Sequence, residues 1–230
     1  MARHPTARRV HRPSATAEDA FTAHVIEWSA WAKENARSLL WAGAILILAI
    51  TVGLYLRNFR NARQIRAQDR LAQLHQTAAS GNWALAARDI EAFLASFDGT
   101  DAASEARLLL AKAYLHEGQP EKAIDAVQTI AGDLDGTFGT SAAMLLGAAY
   151  EAAGQAEQAE AVYLRVADGS DAEYIQREAL DSAARLRMAR GDAAGAAELY
   201  ERVLDLLDPT SPERGIYELR LAEANAAQQG

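Results

Sequence analysis

The longest feature in the hydrophobic pattern is a single unbroken apolar run. Leu39 to Leu56 reads LLWAGAILILAITVGLYL, 18 residues without a charge. As a helix it covers about 27 Å at about 1.5 Å per residue, close to the roughly 30 Å hydrocarbon core of a bilayer. Trp41 and Tyr55 lie near its ends, where amphipathic rings favour the headgroup region, and Arg37 and Arg57 close it. A soluble helix of this length carries a polar stripe, which this one lacks. A cleaved leader has a shorter apolar run and a small-x-small site, whereas Arg57-Asn58-Phe59-Arg60 follows here. The pattern therefore predicts an uncleaved anchor at 39–56, seated in a lipid bilayer.

Before the run, residues 1–20 contain Pro5, Pro13, His4, His11 and several arginines, and predict a disordered basic tail. Phe21, Val25, Trp28 and Trp31 or Ala32 then recur at helical spacing. They predict a juxtamembrane amphipathic helix over 21–38. It is either an interfacial or partner-binding element or a plain extension of the membrane helix. After the run, residues 57–70 predict a basic linker helix.

From residue 71 to 230 the pattern becomes periodic at a longer scale. Gly81, Gly118, Gly154 and Gly191 are spaced by 37, 36 and 37 residues. Five residues after each comes an alanine: Ala86, Ala123, Ala159 and Ala196. Four later stand Ile90, Val127, Tyr163 and Tyr200, and three later again Phe93, Ile130, Val166 and Val203. Seven before the glycine stand Leu74, Ala111, Gly147 and Ala184. Two antiparallel helices that cross closely need small residues at the crossing. The turn between them needs a residue at ease with positive φ. No single pair buries its apolar face alone, so such units stack into a solenoid. The prediction is all-α: one membrane helix, about four helix pairs, and a polar-faced capping helix from Tyr217 to Gln228.

Charge sharpens the division. Residues 1–70 hold 11 Lys/Arg against 5 Asp/Glu, net +6, and residues 71–230 hold 12 against 26, net −14. The acidic part would repel a phosphate backbone, so no nucleic-acid partner is expected. Zero cysteines exclude disulfides, thiolate metal sites, cysteine catalysis and a lipidated N-terminal cysteine. For orientation, Lys33 and Arg37 lie on the N-terminal side of the anchor. Arg57, Arg60, Arg63, Arg66 and Arg70 lie on the other. This local count favours a cytoplasmic C-terminal domain. Adding Arg3, Arg8, Arg9 and Arg12 narrows it to 6 against 5, so charge alone leaves the topology open.

Candidate chemistry is sparse. His4, His11, His24, His75 and His116 form no ligand pair at i, i+4 spacing. Asp133-Leu134-Asp135-Gly136 and Asp168-Gly169-Ser170-Asp171 lack the alternating ligands and terminal Glu of a calcium loop, and read as inter-repeat turns. No glycine-rich phosphate loop is present. No catalytic residue, metal, cofactor or small-molecule substrate is expected, and the chain reads as a non-enzyme.

The segments LAKAYLHEGQPEKAIDAV and LGAAYEAAGQAEQAEAVY resemble tetratricopeptide repeats, and the match covers about residues 66–228. Departures are present. Arg187 stands where the pattern calls for tyrosine, and Pro209 lies one residue from its expected place. The first unit is degenerate, as a capping unit can be. The resemblance implies a concave protein-binding groove lined by the first helices. Its positions fall on Leu108, Lys112, Leu115, His116, Met144, Leu145, Ala148, Asp181, Arg185 and Met188. Flexible Leu- and Met-bearing surfaces suit varied partners. The two-asparagine clamp for a C-terminal carboxylate is absent.

The whole layout resembles a bacterial family, the ancillary subunit of the SecYEG translocon (YfgM). The likeness includes Trp31-Ala32-Lys33-Glu34-Asn35-Ala36-Arg37 before the anchor and the Arg- and Gln-bearing helix after it. It implies a single-pass protein of the bacterial inner membrane, with a cytoplasmic N-terminus and a periplasmic repeat domain. Its implied partners are translocon subunits, periplasmic chaperones and newly exported proteins. The alternative reading is a structural organiser of an envelope complex, in cell division or outer-membrane assembly, with one fixed partner.

Overall fold

The computed structural model describes residue 31 and residues 33–229. The expected basic tail and the start of the expected amphipathic helix lie outside the described residues. Among the described residues there are nine α-helices and no strand. They are α1 (Ala36–Ala79), α2 (Trp83–Phe97), α3 (Asp101–His116), α4 (Pro120–Val127), α5 (Gly139–Ala152), α6 (Ala156–Gly169), α7 (Glu173–Ala189), α8 (Ala193–Asp205) and α9 (Arg214–Ala227). The chain divides into two units, Met1–Arg60 and Asn61–Gly230, with the boundary inside α1.

In the first unit α1 contains an 18-residue window of mean hydropathy 2.3, none of it buried. Leu40, Ile45, Leu46, Ile47, Leu48 and Leu54 are all exposed. The helix is long and apolar enough to cross a membrane.

The second unit is a stack of helix pairs. The last turns of α1 bury Ala67, Leu71, Leu74 and Ala78, the i, i+4, i+7, i+11 stripe of a packed helix. These turns pair with α2, and α3/α4, α5/α6 and α7/α8 follow, with α9 closing the end. The repeat glycines turn each pair. Gly81, Gly118, Gly154 and Gly191 all have positive φ, between 67° and 82°. After α3 the Gly118 N–H reaches the Leu115 carbonyl at 3.1 Å, and the Gln119 N–H reaches the Tyr114 carbonyl at 2.8 Å. The same two bonds recur at Gly154 and Gly191. This is the left-handed helix cap that satisfies the last carbonyls. The alanines after them, Ala86, Ala123, Ala159 and Ala196, are fully buried at the crossings. Asn82, Thr100 and Asp192 cap α2, α3 and α8 by accepting from backbone N–H groups of the first turn.

The second unit of the repeat departs from the sequence expectation. Its second helix, α4, stops at Val127, and Ile130 falls in a separate 3-10 turn, Ile130–Gly132. Gly132 and Gly136 disfavour continuation of the helix. The Ala131 carbonyl left free there accepts from Arg165 Nη1 of α6 at 2.8 Å. One repeat later, Arg202 of α8 pairs with Asp168 at 2.6 Å. Arg165 and Arg202, 37 residues apart, thus each tie one second helix to the end of the preceding one.

Both ends of the stack differ from its middle. Eight residues before the turn glycine, the inner units carry Leu110, Leu146 and Ala183, all buried, but the first carries exposed Gln73. Four before it, inner Tyr114 and Tyr150 give way to Thr77. These polar replacements suit an end that no further pair covers among the described residues. At the other end α9 is not uniformly polar outward, because Ile216 and Leu219 are exposed.

Candidate functional site

The ten residues assigned to the groove sit on α3, α5 and α7, the first helices of three consecutive pairs. Leu108, Leu115, Met144, Leu145 and Met188 are half-buried and packed against the core. Ala148 and Asp181 are half-buried, and Lys112, His116 and Arg185 are exposed. The apolar side chains thus divide their surface between core and solvent.

His116 is exposed at the end of α3. Its ring stacks on Trp83, the first residue of α2, with centroids 4.1 Å apart and planes 6° from parallel. The two residues are 33 positions apart in sequence. No helical spacing foretells their contact, because it depends on how α2 and α3 meet.

Charged side chains on the same helices pair across units. Arg185 donates two hydrogen bonds to Glu151, at 2.9 and 3.0 Å. The Tyr163 hydroxyl donates to the same carboxylate at 2.7 Å. Asp181 accepts from Arg220 of α9. His75 of α1 contacts Glu105 of α3 at 2.9 Å. Asp181 and Arg185 also feel each other's charge, one turn apart on α7. Glu151, Arg220, His75 and Glu105 were not among the groove residues read from sequence. The only sequence signal was their recurrence near the repeat spacing, 34 residues for Glu151 and Arg185 and 39 for Asp181 and Arg220.

Tyr114, Tyr163, Tyr200 and Tyr217 are all held toward the neutral form, burial being the first cause in each. Burial, and then the hydrogen bond to Glu91, push the Tyr114 hydroxyl from 10.0 up to about 12. Burial, and then the hydrogen bond to Glu151, shift Tyr163 the same way. A folded-state pKa above the unfolded value contributes stability that is complete below pH 10.0 and is lost as pH rises toward the folded value. Alkaline titration followed by phenolate absorbance therefore shows an early phase and a late phase, the late one coinciding with loss of helical circular dichroism. Tyr114→Phe removes one phenol from the late phase. A single phase near pH 10.0 with helicity intact would contradict this assignment.

Among the described residues, no group of three His, Cys, Asp or Glu side chains is placed to hold a metal ion. The turn at Asp133 is occupied by its own backbone: the Gly136 N–H bonds the Asp133 carbonyl at 3.3 Å, and Thr140 Oγ1 bonds that of Leu134 at 3.1 Å.

No family model and no curated protein matches the chain. Solved structures match its fold. The nearly identical TPR-like repeats of a Podosopora anserina protein named for kinesin light chain superpose with TM-score 0.60 at 20% identity, over 71% of this chain and 87% of that one. A variant of the same repeats gives TM-score 0.59 over the same shares. MamA protein gives 0.58 at 20% identity, over 71% of this chain and 82% of its own. The repeat unit is a TPR-like α-solenoid.

Proposed function

We propose that this chain is a non-enzymatic, membrane-anchored scaffold that binds other proteins through its repeat solenoid. Residues 39–56 are its anchor. One observation carries the reading: an exposed apolar stretch of α1 and a packed helix-pair solenoid in the same chain. The exposed run is stable only if lipid or protein covers it. The half-buried Leu and Met side chains of α3, α5 and α7 supply adaptable contact surface.

The finer reading follows the resemblance to the translocon-accessory family. The repeat domain faces the periplasm of a bacterial inner membrane and contacts translocon subunits, chaperones or newly exported proteins. The motif around Trp31 and Arg37 supports it.

Two measurements test this. A periplasm-active reporter fused after Gly230 is expected to be active, and a cytoplasm-active one silent. The reverse pattern would mean that the arginines at 57–70 set the topology. A photo-crosslinking residue at Met144 or Met188 is expected to capture many exported polypeptides together with translocon subunits. Capture of one stoichiometric partner would favour the envelope-organiser reading, and capture of none would remove the groove from the proposal.

A further inference from the structure

A cleft of about 400 Å³ opens between α7 and α9. Its charges are mostly paired with each other. Arg220 pairs with Asp181, and Arg177 lies 3.7 Å from Glu213. The face of the Tyr217 ring is also taken, with the Arg220 guanidinium 5.4 Å from its centroid.

Three groups lining the cleft remain available. Tyr174 is 65% exposed, and Ile216 across from it on α9 is 55% exposed. Glu178 is exposed, and no ion pair or hydrogen bond engages it among the described residues. Tyr174 and Glu178 are four residues apart on α7, so they share one face of that helix.

This combination has a definite complement. An open phenol ring attracts a cation over its face, and a carboxylate one turn away adds charge to the same place. An exposed isoleucine packs the methylene stem that a long cationic side chain carries. The surrounding field has the matching sign, since residues 71–230 carry net −14. An acidic side chain entering here would meet Glu178, with Asp181 and Glu213 already holding the two arginines.

We propose that the cleft between α7 and α9 receives a cationic side chain of a partner polypeptide, arginine in preference to lysine. The side chain lies against Tyr174, pairs with Glu178 and rests its stem on Ile216. Arginine is preferred because its planar guanidinium stacks on the ring while donating to the carboxylate. This inference rests on the protein-binding reading above and names the chemistry of one contact within it.

The test uses the full chain in nanodiscs. The probes are three fluorescein-labelled peptides, Ser-Gly-Leu-Arg-Leu-Gly-Ser and its Gln and Glu counterparts at the central position. Binding is read by fluorescence anisotropy against empty nanodiscs. The Arg peptide is expected to bind about tenfold more tightly than the Gln peptide, and the Glu peptide to bind least. The preference shrinks with added salt. Glu178→Gln and Tyr174→Ala each remove most of it, and Glu178→Lys turns it toward the Glu peptide. Both positions are exposed, so unchanged circular dichroism confirms that the variants fold.

Equal binding of all three peptides, or none by any, would overturn the proposal. So would an arginine preference that survives both Glu178→Gln and Tyr174→Ala. Crosslinking at Met144 is independent of this cleft, so polypeptides captured there alongside a failed arginine preference would leave the protein-binding reading standing.

Discussion

Replacing Glu160 by alanine lowers the stability of the repeat domain by about 3 to 5 kcal/mol, the cost of leaving a buried charge without its partner. Glu160 is buried on α6. Its carboxylate accepts from Arg187 Nε at 2.7 Å and also from Arg190. Arg187 holds the position, four before the turn glycine, that Tyr114 and Tyr150 hold in the two preceding units. Arginine there brings a charge into the packing between α6 and α7, and Glu160 neutralises it. Without Glu160, Arg187 keeps only the Gly195 carbonyl at 3.1 Å and Asp192 at 3.9 Å.

The remedy is specific. Glu160→Ile together with Arg187→Tyr gives the residues of the Gly118 unit, Ile124 and Tyr114, and removes both charges, leaving the exposed Arg190 to water. A buried ion pair replaced whole by apolar groups is often neutral or stabilising. The double variant is therefore expected to regain most of what Glu160→Ala loses, and the two sites to be strongly non-additive. Urea unfolding measures this as a shift of midpoint at constant slope. A Glu160→Ala variant within about 1 kcal/mol of the parent, the scale of an ordinary hydrogen bond, would show that the pair carries no such charge burden.

Gly147→Ala is expected to destabilise by about 1 to 3 kcal/mol, the usual cost of overpacking. The sign is the point. Alanine in place of glycine within a helix ordinarily gains about 0.5 to 1 kcal/mol. At Gly147, however, a Cβ would lie 2.5 Å from Tyr163 Cε1 and 2.7 Å from its Cζ. The ring has little freedom to yield. Tyr163 is buried, and its hydroxyl is tied to Glu151, which Arg185 holds in turn. Gly215→Ala is the control, because a Cβ there meets nothing within 4 Å. Thermal unfolding of the two variants should move in opposite directions. If Gly147→Ala moved upward with Gly215→Ala, the close crossing of α5 on α6 would be wrong.

The skeleton of this solenoid was legible because it repeats. Gly118, Ala123 and Val127 are each ambiguous alone. Met again as Gly154, Ala159 and Tyr163, and once more as Gly191, Ala196 and Tyr200, they define turn, crossing and core. The structure gives each that place. The positive φ of Gly99, between α2 and α3, escaped the same reading: glycine recurs 37 residues later at Gly136 without a positive φ, and Ala172 and Pro209 hold the place in the later units. The short α4 escaped it too, since Ile130 keeps the apolar spacing while the backbone around it leaves the helix. The ten residues assigned to a groove were legible only as positions on helices. Which of its charges are free was not.

Near neighbours along the chain already set several features of this protein. These features are the apolar run of 39–56, the glycine that turns each helix pair, and the small residues that let the pairs cross. Each follows from local sterics and helical periodicity, which a spacing of about three, four or seven residues records directly. Stacking of the helix pairs brings distant charges together: Glu151 with Arg185, Glu160 with Arg187, and Asp181 with Arg220. It also leaves Glu178 and Tyr174 open beside α9. A carboxylate reads the same in sequence whether water or a guanidinium solvates it. The difference arises only when stacking sets one unit's first helix against the next and removes the water between them.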